Sequence, residues 1–185
     1  DPDTWNMTLD TVKERYSSKT KAVLIVHTYG LPTEAKLIEE FCEEKGILLI
    51  EDAAEAHGQN DEGKLCGSFG QISTMSFYAN KHITTGEGGA VLVDDEIFSS
   101  KLKQMRNLDF RRENRFVHDN LYWNYRLGGL QAAMGLSQIK NLEKNIYKKI
   151  KQGSYYQYLL SDYSDMFELP VSKVRTSDNH YWVFG

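Results

Sequence analysis

The chain has 185 residues, 41% hydrophobic and 12% aromatic, enough apolar material for one domain with a packed core. Its 22 basic and 26 acidic residues leave a net charge of −4, which argues against broad electrostatic binding to nucleic acid or to an anionic membrane. Cys42 and Cys66 are too few and too isolated for a disulfide framework. No apolar run approaches the ~20 residues that span a bilayer, so the cytoplasm is the expected compartment.

In chain order, AVLIV at 22–26 is a short apolar run of β-branched character, followed by the turn residues HTYGLP. In TEAKLIEEFCEEKG, residues Leu37, Ile38, Phe41 and Cys42 recur at helical spacing and Gly46 is a stop signal. ILLIED then reads as a second buried strand. Strand, helix and strand with short connections make a βαβ unit, and strands apolar on both faces belong in a parallel sheet covered by helices, so the fold class is α/β. A glycine-rich loop at 58–70 leads to strands at 72–78 and 90–95 and a helix over EIFSSKLKQMRNL. Residues 109–126 lack clear periodicity. One long helix is expected from about Leu130 to about residue 160, its stripe of Ile139, Leu142, Ile146 and Ile150 facing a following domain. MFELP and HYWVFG read as further strands, the last stopped in mid-run, and with Asp1 as first residue a piece of a longer chain is expected. The division expected is 1–126 in a large domain, 127–160 as a connecting helix and 161–185 as the start of a small α+β domain.

Two phosphate-binding motifs fail at the conspicuous stretch SFYANKHITTGEGGAVLV, residues 76–93. A P-loop places its lysine directly after the last glycine, and a dinucleotide fingerprint opens a helix. Here Lys81 precedes the glycines and GEGG runs into a strand, so the glycines alone suit an ordinary turn. Asp52 ends an apolar strand, where ligands of parallel sheets gather, although it also suits the cap of the next segment. Together, a strand-end aspartate, a serine ending the next strand and a lysine about thirty residues after the aspartate form the layout of a pyridoxal phosphate site. That cofactor needs a carboxylate for its ring nitrogen, donors for its phosphate and a lysine amine for the Schiff base. The five histidines and two cysteines show no metal-ligand spacing, so no metal is expected. His27 and Tyr29 share the strand-end rim with Asp52 and suit either the pocket or turn packing. The segment 106–116, with Arg106, Arg111, Arg112 and Arg115 among Phe110 and Phe116, suits either a solvated loop or a grip on phosphates and bases.

HTYG at 27–30, EDAAEAHG at 51–58, GSFG at 67–70, SFYANK at 76–81, TTGEGG at 84–89 and NYRLGGLQAAMG at 124–135 resemble, in order and spacing, the sugar aminotransferases of the DegT/DnrJ/EryC1/StrS family. NK followed by ITTGEGG, with DPDTWNM near the start, is most similar to the perosamine-forming branch. The resemblance implies the fold-type I architecture of aspartate aminotransferase, with a mostly parallel sheet flanked by helices. It implies pyridoxal 5'-phosphate as cofactor, glutamate as amino donor, and a 4-keto-6-deoxy sugar on a nucleotide, GDP in this branch, as acceptor. Lys81 matches the Schiff-base lysine and proton carrier, Asp52 the partner of the pyridine nitrogen, and Ser76 the phosphate-binding serine. Asn124 matches the asparagine that reaches the phosphate of the neighbouring subunit's cofactor, which implies a homodimer with shared sites. Glu55 stands where many relatives place Gln or His near the cofactor's ring hydroxyl, and the Arg/Phe segment falls near the nucleotide-diphosphate end of the substrate. The resemblance further implies an upstream helix that holds the phosphate, outside this chain. Two alternatives remain: a dehydratase of the family, which carries histidine at the lysine position, and a non-catalytic protein on the same fold, which intact Lys81, Asp52 and Ser76 argue against.

Overall fold

The computed structural model describes residues 1–111 and 113–185; Arg112, one of the arginines in the Arg/Phe segment, lies outside the described residues. The first element is α1 (Leu9–Arg15), whose cap is reciprocal: Thr8 and Thr11 each bind the other's backbone N–H through their side chains. Only Leu9 and Val12 carry its apolar contacts, too little periodicity to announce it. The strand β1 (Ala22–Val26) passes through a 3-10 turn at Thr28–Gly30 into α2 (Ala35–Lys45), which stops at Gly46 in the left-handed region, φ 62°. After β2 (Leu48–Asp52), the glycine-rich loop folds a small hairpin of β3 (Asn60–Asp61) and β4 (Lys64–Leu65). There follow β5 (Ile72–Ser76), β6 (Gly89–Leu92) and α3 (Glu96–Arg106), the last capped by Asp95 through Phe98 N at 2.8 Å.

The main sheet has the order β1-β2-β5-β6. The first three strands run parallel and β6 returns antiparallel to β5, as a short connection requires. In this register Val26 pairs with Asp52, and Asp52 with Thr74, while Ser76 faces Gly89, so the carboxyl ends of the parallel strands meet at one rim. Gly89 is obligatory there, because a Cβ would stand 2.8 Å from the Met75 carbonyl oxygen. Val23, Ile25 and Leu49 on one face pack with Val12, Ala35, Ile38, Phe41, Cys42 and Phe69, which builds the core between the sheet and α1 and α2. Coverage of both faces, expected from the unbroken apolar runs, is not found among the described residues. The opposite face leaves Leu24, Leu48 and Val91 about half exposed, and this is the face that carries Asp52 and Thr74.

The long helix expected over 130–160 is two helices, α4 (Gly129–Ile139) and α5 (Leu142–Leu160), jointed at Lys140 and Asn141. Each is tied to a different point of the loop that carries Lys81. Gln138 binds both the N–H and the carbonyl of Thr84, at 3.0 and 2.7 Å, and Asn145 donates to the His82 carbonyl at 3.2 Å. An apolar stripe continuous across the joint carries no sign of that tether. On α5, Ile146 is buried above Gly58, where a Cβ would meet its Cδ1 at 2.5 Å.

The expected strands at MFELP and HYWVFG are also corrected. The C-terminal strands are β7 (Lys173–Val174) and β8 (Ser177–Asp178), a short hairpin. HYWVFG cannot pair because Tyr181 sits at φ 47°, its N–H held by Asn179 Oδ1 at 2.7 Å. The hairpin docks on the β3–β4 loop: Arg175 Nε donates to Asp61 Oδ1 at 3.1 Å, and Gln59 Nε2 to the Asp178 carbonyl at 2.9 Å.

Candidate active site

The loop between β5 and β6 is closed by its own backbone. Phe77 N binds Gly88 O at 2.8 Å, Thr85 N binds Phe77 O at 2.9 Å, and Thr84 Oγ1 donates to the same carbonyl at 3.0 Å. Gly88, at φ 148°, has no room for a side chain, since a Cβ would meet Thr85 Oγ1 at 2.5 Å. The glycines of GEGG therefore shape the loop, and the loop holds Lys81 inward. Only 7% of the Lys81 side chain is exposed; its Nζ lies 3.7 Å from Glu55 Oε1 and 3.7 Å from the centre of the Trp182 ring. Burial pushes the amine below the ordinary lysine range, and the carboxylates of Glu55 and Asp52 partly offset the shift.

Asp52 ends β2 at the rim. Its Oδ1 accepts from Ala54 N at 3.0 Å and Thr74 Oγ1 at 3.2 Å, while no donor is found for Oδ2 among the described residues. The cap-like Ala54 contact and an open carboxylate oxygen thus coexist. Glu55 is fixed by Tyr29 N, which donates to Oε2 at 2.8 Å, so its other oxygen is turned to Lys81. Ser76 ends β5, and its Oγ accepts from Tyr78 N at 3.2 Å. Lys81, Asp52 and Glu55 thus share one rim, with Ser76 at the strand end that leads into the lysine loop. Asn124 is not brought to them: it bridges to Asn107 and its Oδ1 accepts from Arg126 Nε at 2.8 Å. Arg111, Arg115 and Arg126 surround a separate open cavity with Asn107 and Phe110; Arg115 stacks on Phe110 and Phe116 at 5.1 and 5.6 Å. The largest of the cavities described, about 910 Å³, lies between β6 and α3 and includes neither Lys81 nor Asp52.

Beneath the rim is a buried network that motif reading did not single out. Glu51 accepts from His27 Nε2 at 2.8 Å, from the backbone N–H groups of Gly67, Phe69 and Gly70 at 2.5, 2.9 and 3.1 Å, and from Ser73 Oγ at 3.0 Å. Thr33 N donates to His27 Nδ1 at 3.1 Å, which leaves the ring proton on Nε2, aimed at Glu51. Burial would raise the Glu51 carboxyl, but the hydrogen bonds from His27, Gly67 and Gly70 hold it below the usual range. Cys66 brings a third ligand-type atom within 4.8 Å of these two. Both carboxylate oxygens are nevertheless occupied by donors, and burial pushes the Cys66 thiol up, away from the thiolate a metal would need. The cluster braces the GSFG turn against β2.

Two further features escaped sequence reasoning. His57, His82 and His180 form a row beside Lys81, with ring centres 6.2 and 6.5 Å apart. Burial pushes His57 and His82 down to about 4, and lowers His180 as well. Trp182, inside the segment read as a strand, is the second. Its only sequence signal was its aromatic character, and its place over Lys81 depends on contacts about a hundred residues apart.

A mostly parallel sheet with an aspartate at its rim and a buried lysine on the loop that closes it is the arrangement of fold-type I aminotransferases. The model of the DegT/DnrJ/EryC1/StrS aminotransferase family matches residues 1–184, and the chain belongs to that family. It is 36% identical over 180 residues to the GDP-perosamine synthase of Vibrio cholerae, covering 96% of this chain and 47% of that protein. It is also 36% identical over 157 residues to the GDP-perosamine synthase of Escherichia coli O157:H7, covering 85% of this chain and 43% of the other. Among solved structures, E. coli GDP-4-keto-6-deoxy-D-mannose-3-dehydratase with bound hydrated PLP superposes with a TM-score of 0.84 at 25% identity, over 100% of this chain and 51% of that one. The chain thus spans about half the length of the curated relatives it matches. Among the described residues no helix is long and apolar enough to cross a membrane.

Proposed function

We propose that this chain carries the reactive lysine of a pyridoxal phosphate-dependent sugar aminotransferase. The whole enzyme would transfer an amino group from glutamate to a 4-keto-6-deoxy nucleotide sugar, GDP-linked and perosamine-forming, in a homodimer with shared active sites. The observation that carries this reading is Lys81, 7% exposed, at the same sheet rim as an aspartate with one open carboxylate oxygen.

The residues present suit the cofactor. When bound, pyridoxal phosphate supplies a carbonyl that condenses with amines and a ring that draws electrons from the bond to be broken. Asp52 Oδ2 is free to accept the ring N–H, and Ser76 Oγ stands at the strand end to donate to phosphate. Glu55, whose Oε1 is turned toward Lys81, would accept from a ring hydroxyl. Imine chemistry needs a neutral amine, and burial moves Lys81 in that direction from a free-lysine pKa of ~10.4. Lys81 Nζ then serves as the base that takes a proton from the reacting carbon and as the acid that returns it. Asn124, remote from its own chain's lysine contacts, is proposed to act across the dimer. The arginines around Phe110 are proposed to receive the diphosphate.

The test is to add pyridoxal phosphate to the full-length protein, reduce with borohydride and map the peptides. A pyridoxyl group on Lys81 is expected; no adduct would sink every reading that uses the cofactor. Addition of glutamate and of candidate ketosugars, with analysis of the sugar product, separates transaminase from dehydratase, because only the transaminase leaves the amino group on the sugar. A lysine at position 81, where the family's dehydratases carry histidine, favours the transaminase.

A further inference from the structure

Three rings stand in file above the reactive loop. Trp5 and Tyr29 have ring centres 5.3 Å apart, Tyr29 and Trp182 stack at 6.3 Å and 26°, and the Trp182 ring lies 3.7 Å from Lys81 Nζ. Trp182 is pinned at its other edge, where Nε1 donates to the carbonyl of Asn80, the residue before Lys81, at 3.2 Å. The placement is held at a cost in backbone strain. Tyr29 at φ 55° and Tyr181 at φ 47° are bulky residues in the left-handed region, which persists only where surrounding contacts demand it. Those contacts are visible. Tyr181 is 4% exposed and lies in a notch of α5 made by Gly153, where a Cβ would stand 2.2 Å from the tyrosine ring.

We propose that Trp182 is a positioning residue for Lys81, its ring face holding the amine at the rim beside Glu55 and Asp52 and keeping bulk water from it. The groups facing that amine are then the two carboxylates, the indole face and the neutral His57 ring. An ammonium on an indole face is attracted by the ring quadrupole, so the contact favours the charged amine while the apolar cover favours the neutral one. The C-terminal segment would in this way set the proton affinity of a lysine on the sheet loop. The catalytic meaning of this rests on the function proposed above, but the contact can be tested without it.

The experiment is competitive acetylation of the full-length protein without added cofactor, across the alkaline range, reading the Lys81 peptide by mass spectrometry. Trp182→Leu keeps an apolar cover and loses the ring face, so the labelling midpoint of Lys81 should fall by ~0.5–1 pH unit, with Trp182→Phe in between. The solvent-exposed Lys19 should label alike in all three proteins. An unchanged or raised midpoint in Trp182→Leu overturns the proposal, and so does an equal fall in Trp182→Phe. If Trp182→Leu does not fold, Tyr29→Leu removes the ring stacked behind Trp182 and should shift the midpoint in the same direction by a smaller amount; no shift there overturns it as well. If the variants show the midpoint effect but the wild-type protein gains no pyridoxyl group on Lys81, the result counts against the proposed function and leaves the Trp182 contact standing.

Discussion

At the scale of single residues, burial decides which groups react and which only hold. Lys81 and Glu51 are both charged side chains taken out of water, yet Glu51 has five hydrogen-bond donors and Lys81 has one carboxylate at 3.7 Å and a ring. The satisfied group is held in place, and the under-satisfied one is the group that the proposed function makes reactive. Lys81→Ala is therefore expected to lower turnover of the full-length enzyme by roughly 10²–10⁴-fold or more and to abolish the borohydride-fixed adduct, with the melting temperature little changed. Asp52→Asn should retain the adduct and lose most of the turnover, which a paired absorbance and activity assay checks. Glu51→Gln should act on stability instead. An amide nitrogen would face backbone N–H donors, costing about 3 kcal/mol in chemical unfolding while Lys81 still forms its adduct. The places of Asp52 and Ser76 at strand ends and of Lys81 on the following loop were legible in the sequence because strand ends and loops announce themselves in apolar runs and glycines. The Glu51 network was not, because a carboxylate inside a strand has no motif, and three of its five donors are backbone groups of a turn about eighteen residues on.

At the scale of elements, the four strands of the main sheet with α2 and α3 followed from sequence pattern, because α2 and the sheet bury residues that recur, whereas α1 and the β3–β4 hairpin carry no such pattern. The errors came where distant contacts override a local pattern. The apolar stripe of α4 and α5 hides a joint set by Gln138 on Thr84 and Asn145 on His82. The aromatic run HYWVFG has strand composition, yet Tyr181 is turned into the left-handed region to enter the Gly153 notch. That notch gives a sharp prediction. In Gly153→Ala the new Cβ would overlap the Tyr181 ring, so the ring must leave or α5 must shift, at about 1–3 kcal/mol by the usual cost of overpacking. The opposite preference of the helix itself is smaller, because alanine favours an exposed helix over glycine by about 1 kcal/mol. Chemical unfolding of the variant should show net destabilisation, and the Lys81 labelling midpoint should move with it if Tyr181 carries Trp182. A more stable variant would mean that the notch is not filled.

At the scale of the whole molecule, the histidine row joins three segments far apart in sequence: His57 after β2, His82 on the lysine loop and His180 in the C-terminal segment. Their charged neighbours are Lys81 beside His57, Lys149 beside His82 and Asp178 beside His180. Folding keeps His57 and His82 neutral with values of about 4, whereas the unfolded chain binds protons at the ordinary 6.5. Between those limits the unfolded state holds more protons than the folded one. Stability from these two residues is thus complete above pH 6.5 and falls as the pH drops toward 4. By pH ~5 the loss is on the order of 2 kcal/mol for each, taking 1.36 kcal/mol per pH unit. Urea titrations of the full-length protein at pH ~7.5 and ~5 should show it, and an equal midpoint at both would mean that the row is wet or charged in the folded state. His57 offers the cleaner control, since neither of its ring nitrogens has a hydrogen-bond partner among the described residues. His57→Phe removes the proton site without removing a bond, and the ring still packs beside Phe77. The variant should match the wild type near neutrality and exceed it at pH ~5 by about 2 kcal/mol, because it deletes the one proton that the unfolded chain alone would take up at that position.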